Sequence, residues 1–294
     1  MLEGILIRGQ GGIYTVRQES GEEYTLRAKK KFRRQHMTPL VGDRIAFTPG
    51  QGEDEHGWIE EIHPRISSFV RPPVANVSML VIVAAPQPEP DFLLIDRLLI
   101  AVRTAGIQST VLLNKKELNP SLETELKEQY RGSGAGVIAV SAKTGEGIEK
   151  LPALFRNETV CFCGQSGVGK STLINALLDI QTETGEISRK IARGKNTTRH
   201  VELFFLKSLC LMDTPGFSLI TLSDDQMEPL LLQEEYPEFT DLRHDCRFTP
   251  CWHQGEPGCR VREAVAAGQV SPQRYARYVI LLKELDEAWR NRYA

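Results

Sequence analysis

CFCGQSGVGKSTLINALL, residues 161–178, sets Gly-x-x-x-x-Gly-Lys-Ser between an apolar run and a helix-forming one. In such a loop Gly164, Gly167 and Gly169 let backbone N–H groups close around phosphate oxygens where side chains would intrude. Lys170 brings a point charge to the β and γ phosphates, and Ser171 offers a hydroxyl to Mg²⁺. The predicted nucleotide contacts here are Gly164, Gln165, Ser166, Gly167, Val168, Gly169, Lys170, Ser171 and Thr172. Strand before and helix after are the context this motif requires. Its position is unusual, because 163 residues precede Gly164.

Working outward, a 294-residue chain has room for two or three domains. A hydrophobic share of 41% with 25% charged residues is that of a globular chain and argues against disorder. The longest apolar runs, such as Met79 to Ala85, are too short to cross a bilayer. The start MLEGILIRGQGG lacks a basic segment followed by an apolar one. A cytoplasmic location and no membrane partner are therefore expected. Net charge is −2, so any nucleic-acid surface must be local.

Residues 1–68 alternate apolar and polar positions, with turn signals at Gly11-Gly12 and Ser20-Gly21, and predict a small β-barrel. From Ser78 to about Thr221, apolar strand-like runs alternate with helical stretches, the pattern of a mostly parallel sheet covered on both faces. Beyond that the chain is acidic, then Cys-rich, then helical from Pro272 to Tyr293.

Two further motifs follow the phosphate loop. DTPG, Asp213 to Gly216, ends an apolar strand, where a carboxylate can hold Mg²⁺ through water and a glycine N–H can meet the γ-phosphate. GKNTTRH, Gly194 to His200, carries paired threonines, of which Thr198 is favoured over Thr197 as a switch hydroxyl reaching Mg²⁺. Without its neighbours this loop reads as polar linker. Upstream, Asn114, Lys115 and Glu117 in NKKE resemble the Asn-Lys-x-Asp element by which GTPases read guanine. Ser141, Ala142 and Lys143 resemble their second base-contacting loop. Both segments stand at strand ends, where ligands of such sheets collect.

GTPases ordinarily run phosphate loop, switch threonine, Asp-x-x-Gly, Asn-Lys-x-Asp, Ser-Ala-Lys; here the last two come first. With a barrel in front and a Cys-rich tail, this order resembles the RsgA (YjeQ/YloQ) family of circularly permuted small-subunit biogenesis GTPases over essentially the whole chain. The resemblance implies an α/β fold: a circularly permuted P-loop GTPase domain (69–221), an N-terminal OB-like β-barrel (1–68) and a C-terminal α-helical zinc-knuckle domain (222–294). It implies GTP hydrolysis during late maturation of the 30S subunit, stimulated by that subunit, with GTP/GDP and 16S rRNA as partners. A nucleotide-dependent RNA-binding switch with incidental hydrolysis is the alternative. A monomer is expected, and Lys170, Thr198, Asp213 and Gly216 carry the catalysis.

This sequence departs from the pattern at two places, Glu117 and Asn196, and Phe217 stands where Ras-like enzymes place a water-orienting Gln. Glu117 replaces the usual Asp and sets the carboxylate one methylene further out. Asn196 stands where relatives carry a His implicated in hydrolysis, with His200 nearby. Phe217 follows DTPG and, being apolar, cannot orient water. Slow intrinsic turnover is expected, although Phe217 reads equally well as a core anchor.

Cys246, Cys251, His253 and Cys259 follow Cys-x₄-Cys-x-His-x₅-Cys, three soft thiolates and an imidazole suited to one closed, structural tetrahedral Zn²⁺. Mg²⁺, with Ser171 and Thr198 as ligands, is expected alongside GTP. For RNA, six of the eight residues in RAKKKFRR, 27–34, are basic. They read either as a solvated face or as phosphate contacts with Phe32 stacking on a base. Arg274, Arg277, Lys283, Arg290 and Arg292 of the last helix are further candidates for rRNA contact.

Overall fold

The computed structural model describes residues 1–50, 55–69, 72–181, 201–206, 209–213 and 227–292. Strands β1 (Leu2–Gln10), β2 (Ile13–Arg17), β3 (Glu23–Ala28), β4 (Arg44–Thr48) and β5 (Gly57–Ile62) close into a barrel in the order β1-β2-β3-β5-β4. Alternation drives closure, because every second side chain points inward. Leu6, Val16, Leu26, Ile45, Phe47 and Ile59 are all fully buried and fill the interior. The β1–β2 hairpin turns on Gly11 and Gly12, both at positive φ (60° and 81°), the two-residue geometry that glycines favour. Between β3 and β4 the chain forms a one-turn helix, α1 (Lys30–Arg34), whose Phe32 is 4% exposed in the barrel core.

A two-stranded ribbon, β6 (Ser68–Phe69) with β7 (Val74–Ala75), precedes the central sheet. Its strands are β8 (Met79–Ala84), β9 (Gln108–Leu113), β10 (Gly136–Ala139), β11 (Thr159–Cys163), β12 (Glu202–Leu206) and β13 (Leu209–Asp213), ordered β10-β9-β8-β11-β13-β12. β10 runs parallel to β9 and β11 parallel to β13, while β12 closes the edge antiparallel. All six residues of β8 are buried, as strands covered on both faces require. The intervening helices are α2 (Phe92–Thr104), α3 (Ser121–Gln129), α4 (Leu151–Leu154) and α5 (Lys170–Gln181). α2 starts where the Asp91 carboxylate accepts the Leu94 N–H at 2.9 Å.

The C-terminal part is a series of 3-10 turns (Pro229–Glu235, Pro237–Phe239, Arg243–Asp245) followed by α6 (Arg260–Ala266) and α7 (Pro272–Arg290). α7 opens with Pro272 at its first position and the Ser271 hydroxyl accepting from the Arg274 N–H. Its apolar stripe, Tyr278, Leu281, Leu282 and Leu285, packs in one core with Tyr236 and Phe239. Tyr236 and Phe239 stack at 5.0 Å, and Tyr278 meets both edge-on.

Two of the arginines expected on the surface of this helix turn inward. Arg274 is 1% exposed, bonded to Asp96 of α2 at 2.7 Å and to Glu238, with its guanidinium 4.6 Å from the Tyr236 ring centre. Arg277 bonds the other Asp96 oxygen and Gln129 of α3. A buried guanidinium persists only when paired in this way, so neither residue is available to RNA.

Met1–Val81, Gly145–Cys163 and Lys170–Phe217 pack as one compact unit, and Ile82–Thr144, Gly164–Gly169 and Ser218–Ala294 as the other. Among the described residues, no helix is long and apolar enough to cross a membrane.

Candidate functional site

The phosphate loop runs from the end of β11 to the start of α5, the strand–loop–helix geometry that its sequence predicts. Gly164 sits at φ 125°, and a Cβ there would lie 2.2 Å from the Val83 carbonyl oxygen. Gly169, at φ 96°, has no room for a Cβ either, because the Asn114 amide nitrogen would be 2.4 Å from it. Glycine is thus enforced at both ends of the loop by backbone conformation and by close neighbours. Val168 is buried and anchors the loop, whereas Ser166, Ser171 and Thr172 are exposed.

The contact at Gly169 ties together motifs that lie far apart in sequence. The Asn114 amide donates to the Val168 carbonyl at 2.9 Å, and its oxygen accepts from the Ala142 N–H at 3.0 Å. One side chain therefore bridges the phosphate loop and the Ser-Ala-Lys segment. Lys115, held at φ 57°, turns its ammonium onto the carbonyls of Gln87 (2.7 Å) and Gly167 (2.8 Å). The Gln165 side chain accepts from the Asp91 N–H and donates to the Glu89 carbonyl, fixing the loop's near end.

Glu117 lies exposed in a 3-10 turn, Lys116–Leu118, just beyond Asn114. A hydrogen bond with the Ser141 hydroxyl, then its own backbone N–H, and Lys143 and Lys115, hold its carboxyl below the usual range. It is therefore an ionised acceptor at neutral pH. The buried Ser141 hydroxyl also accepts the Thr144 N–H at 3.1 Å, which shapes the loop that carries Ala142 and the exposed Lys143.

The backbone of Asp213 ends β13 in register with Phe162 of β11, so the DTPG strand runs beside the strand that feeds the phosphate loop. Gly194, Asn196, Thr197, Thr198, His200, Gly216 and Phe217 lie outside the described residues, as does the side chain of Asp213.

The Cys/His tetrad converges. One ligand atom from each of Cys246, Cys251, His253 and Cys259 lies within 4.8 Å of the others. His253, buried and at φ 57°, directs Nδ1 at the thiols, 3.3 Å from Cys259 Sγ and 3.7 Å from Cys246 Sγ. Its Nε2–H donates to the Gln233 amide oxygen at 2.8 Å, which leaves the Nδ1 lone pair directed at the cluster for a metal ion. Gln233 in turn donates to the Leu230 carbonyl. Burial pushes the Cys251 thiol up to about 12. Buried thiols of this kind become thiolates when a soft cation displaces their protons. The intervening loop is tied down by Glu256, which accepts backbone N–H bonds from Trp252, Gln254 and Gly255. Burial alone would raise its carboxyl, but these donors outweigh that effect and bring it to about 2. Gln233 and Glu256 escaped the sequence reading. Gln233 precedes the first cysteine by 13 positions, and no local pattern marks either residue as a support of the tetrad.

Cys161 and Cys163 are buried in β11, and among the described residues neither joins a group that could hold a metal. The basic run 27–34 requires a correction: Phe32 is inside the barrel core and cannot stack on a base. Lys29 is paired with Glu60, while Arg27, Lys30, Lys31, Arg33 and Arg34 are exposed.

Similarity to known proteins covers this architecture from end to end. The family model described as RsgA GTPase matches residues 62–223, and that described as RsgA N-terminal domain matches residues 3–59. Small ribosomal subunit biogenesis GTPase RsgA of Ruminiclostridium cellulolyticum is 41% identical over 288 residues, 97% of this chain and 94% of the relative. The protein of the same name from Agathobacter rectalis is also 41% identical, over 97% of this chain and 98% of its own. Among solved structures, YjeQ from Thermotoga maritima superposes with a TM-score of 0.79 at 32% identity, covering 97% of this chain and 98% of that one. YloQ, described as a circularly permuted GTPase, gives 0.77 at 30% identity, covering 98% and 96%.

Proposed function

Since the chain belongs to the RsgA family of GTPases, we propose that it binds the small (30S) ribosomal subunit and assists its late maturation, hydrolysing GTP with stimulation by that subunit. The observation that carries this reading is the Asn114 bridge. A side chain 54 positions upstream of Val168 bonds the phosphate loop and the Ser-Ala-Lys loop at once, which supports a guanine-nucleotide site assembled in permuted order. The domains run 1–68, 69–221 and 222–294, and 16S rRNA is the surface that the first of them meets. The protein works as a cytoplasmic monomer.

In this reading Asn114 and Glu117 face the base, with Ser141, Ala142 and Lys143 closing over it and Lys115 bracing the loop. Gly164 to Gly169 direct backbone amides at the phosphates, and Lys170 offsets charge on the transferring phosphoryl group as water attacks in line. Ser171 and Thr198 would hold Mg²⁺, with Asp213 reaching it through water, and the ion would supply neutralisation of phosphate charge; Gly216 would meet the γ-phosphate. Cys246, Cys251, His253 and Cys259 leave no open coordination position, so the Zn²⁺ they fit has a structural role.

Glu117 gives a specific test of base reading. Glu117→Asp retains a preference for GTP over ATP, and Glu117→Ala loses it, since only a carboxylate accepts from both guanine donors. Equal discrimination by all three proteins in competition binding would remove Glu117 from the site. The wider reading is tested by co-sedimentation with purified 30S particles in GDP and in a non-hydrolysable GTP analogue. Tighter association in the triphosphate state is expected, and no association in either state would refute it.

A further inference from the structure

On the barrel, strand register places four outward side chains in one row. β2 pairs Ile13 with Arg27 of β3, β3 runs parallel to β5 and pairs Arg27 with Trp58, and β4 sets Thr48 beside Trp58. Their sequence neighbours Leu26, Ile59 and Phe47 are fully buried, so alternation turns Arg27, Trp58 and Thr48 to the outside. Trp58 is 46% exposed and Ile13 38% exposed. An indole is costly to leave in water, and this one lies outside the barrel core that holds Phe32.

Basic residues are concentrated in the segment that pairs with it, 27–34. Two positions beyond Arg27–Trp58, just past the last register pair Ala28–Ile59, Lys29 forms an ion pair with Glu60, which offsets that carboxylate. Arg27 and, on α1, Lys30, Lys31, Arg33 and Arg34 remain exposed, and among the described residues none of these five forms an ion pair. A large flat aromatic with Arg27 beside it, on a barrel whose α1 carries four more exposed cations, complements a chain that alternates π-faces with phosphates. Only unpaired nucleotides offer those faces, because a duplex stacks its bases internally.

We propose that Trp58, with Arg27 beside it and the exposed α1 cations on the same barrel, is a stacking platform for unpaired RNA, the base lying on the indole and its flanking phosphates on Arg27, Lys30 and Lys31. The platform rests on the ribosomal reading above for where such RNA is found, and it gives the barrel the aromatic that Phe32 does not supply. Thr48 and Ile13 extend the row and allow a second base or ribose to lie along it.

The test uses the full chain with labelled rU12, the rA12·rU12 duplex and purified 30S particles. Trp58→Ala weakens rU12 binding by about 10- to 100-fold with the salt slope unchanged, and Trp58→Phe, which keeps an aromatic face and controls for folding, restores most of it. Lys30→Ala/Lys31→Ala instead lowers the slope of log affinity against log salt by about 0.7 per lost contact. The duplex binds more weakly than rU12 and is indifferent to Trp58. Unchanged rU12 affinity in Trp58→Ala, or preference for the duplex, overturns the platform. Loss of 30S binding with rU12 binding intact also overturns it, in favour of a protein partner for this face. If wild type binds rU12 through Trp58 but ignores 30S, the platform stands and the ribosomal reading fails.

Discussion

Replacing Lys170 with Ala is expected to lower GTP turnover by roughly 10²–10³-fold even at saturating nucleotide. The transferring phosphoryl group passes through a state whose charge is spread over its equatorial oxygens, and catalysis there consists of positioning and electrostatic stabilisation. Removing one preorganised donor from such a site costs on the order of 3–4 kcal/mol. Lys170 follows Gly169 directly and opens α5, where the helix N-terminus adds to the same field. Lys115 cannot substitute, because its ammonium is already engaged by the Gln87 and Gly167 carbonyls. Single-turnover phosphate release is the measurement, and wild-type rates in Lys170→Ala would show that the loop is not catalytic.

The second large effect is metal loss. A structural zinc contributes on the order of 10 kcal/mol to folding a small module. Stripping the protein with a strong chelator, or making Cys251→Ser, is expected to unfold the segment around α6 and α7, seen as lost hydrogen-exchange protection. The apolar core there leans on the tetrad: Cys251 and Cys259 belong to the same cluster as Tyr236, Phe239 and Tyr278, and the Tyr275 and Tyr278 hydroxyls bond the carbonyls of His253 and Trp252. Gln233→Ala keeps all four ligands but frees the imidazole to change tautomer, and weakens zinc affinity by about 10- to 100-fold. Protein purified without chelators that carries no zinc on elemental analysis would contradict the assignment of this centre.

Both effects fall on residues that are legible in the sequence alone. Phosphate cradling and tetrahedral thiolate binding each demand particular side chains at fixed spacing, so Gly164, Gly169, Lys170 and the Cys/His tetrad stand out of the chain. The order of motifs was legible for the same reason, since Asn114 and Ser141 sit at strand ends that permutation leaves in place. Long-range geometry was harder. Arg274 reads as one more surface cation of an amphipathic helix, because its partner Asp96 is 178 positions away. Phe32 is hidden in a charge run, and only a one-turn helix reveals that it points inward. Trp58 looks like any aromatic in an alternating strand until the parallel pairing of β3 with β5 sets Arg27 beside it.

The central claim is that base-reading loops placed ahead of the phosphate loop make this chain a GTPase answering to the small subunit. Its most direct test is steady-state phosphate release from GTP and from ATP, measured alone, with purified 30S particles and with 50S particles. The account predicts slow turnover of GTP alone, strong stimulation by 30S particles only, and no competition from excess ATP. Turnover unchanged by 30S particles that nonetheless bind the protein, or ATP used as readily as GTP, would contradict it.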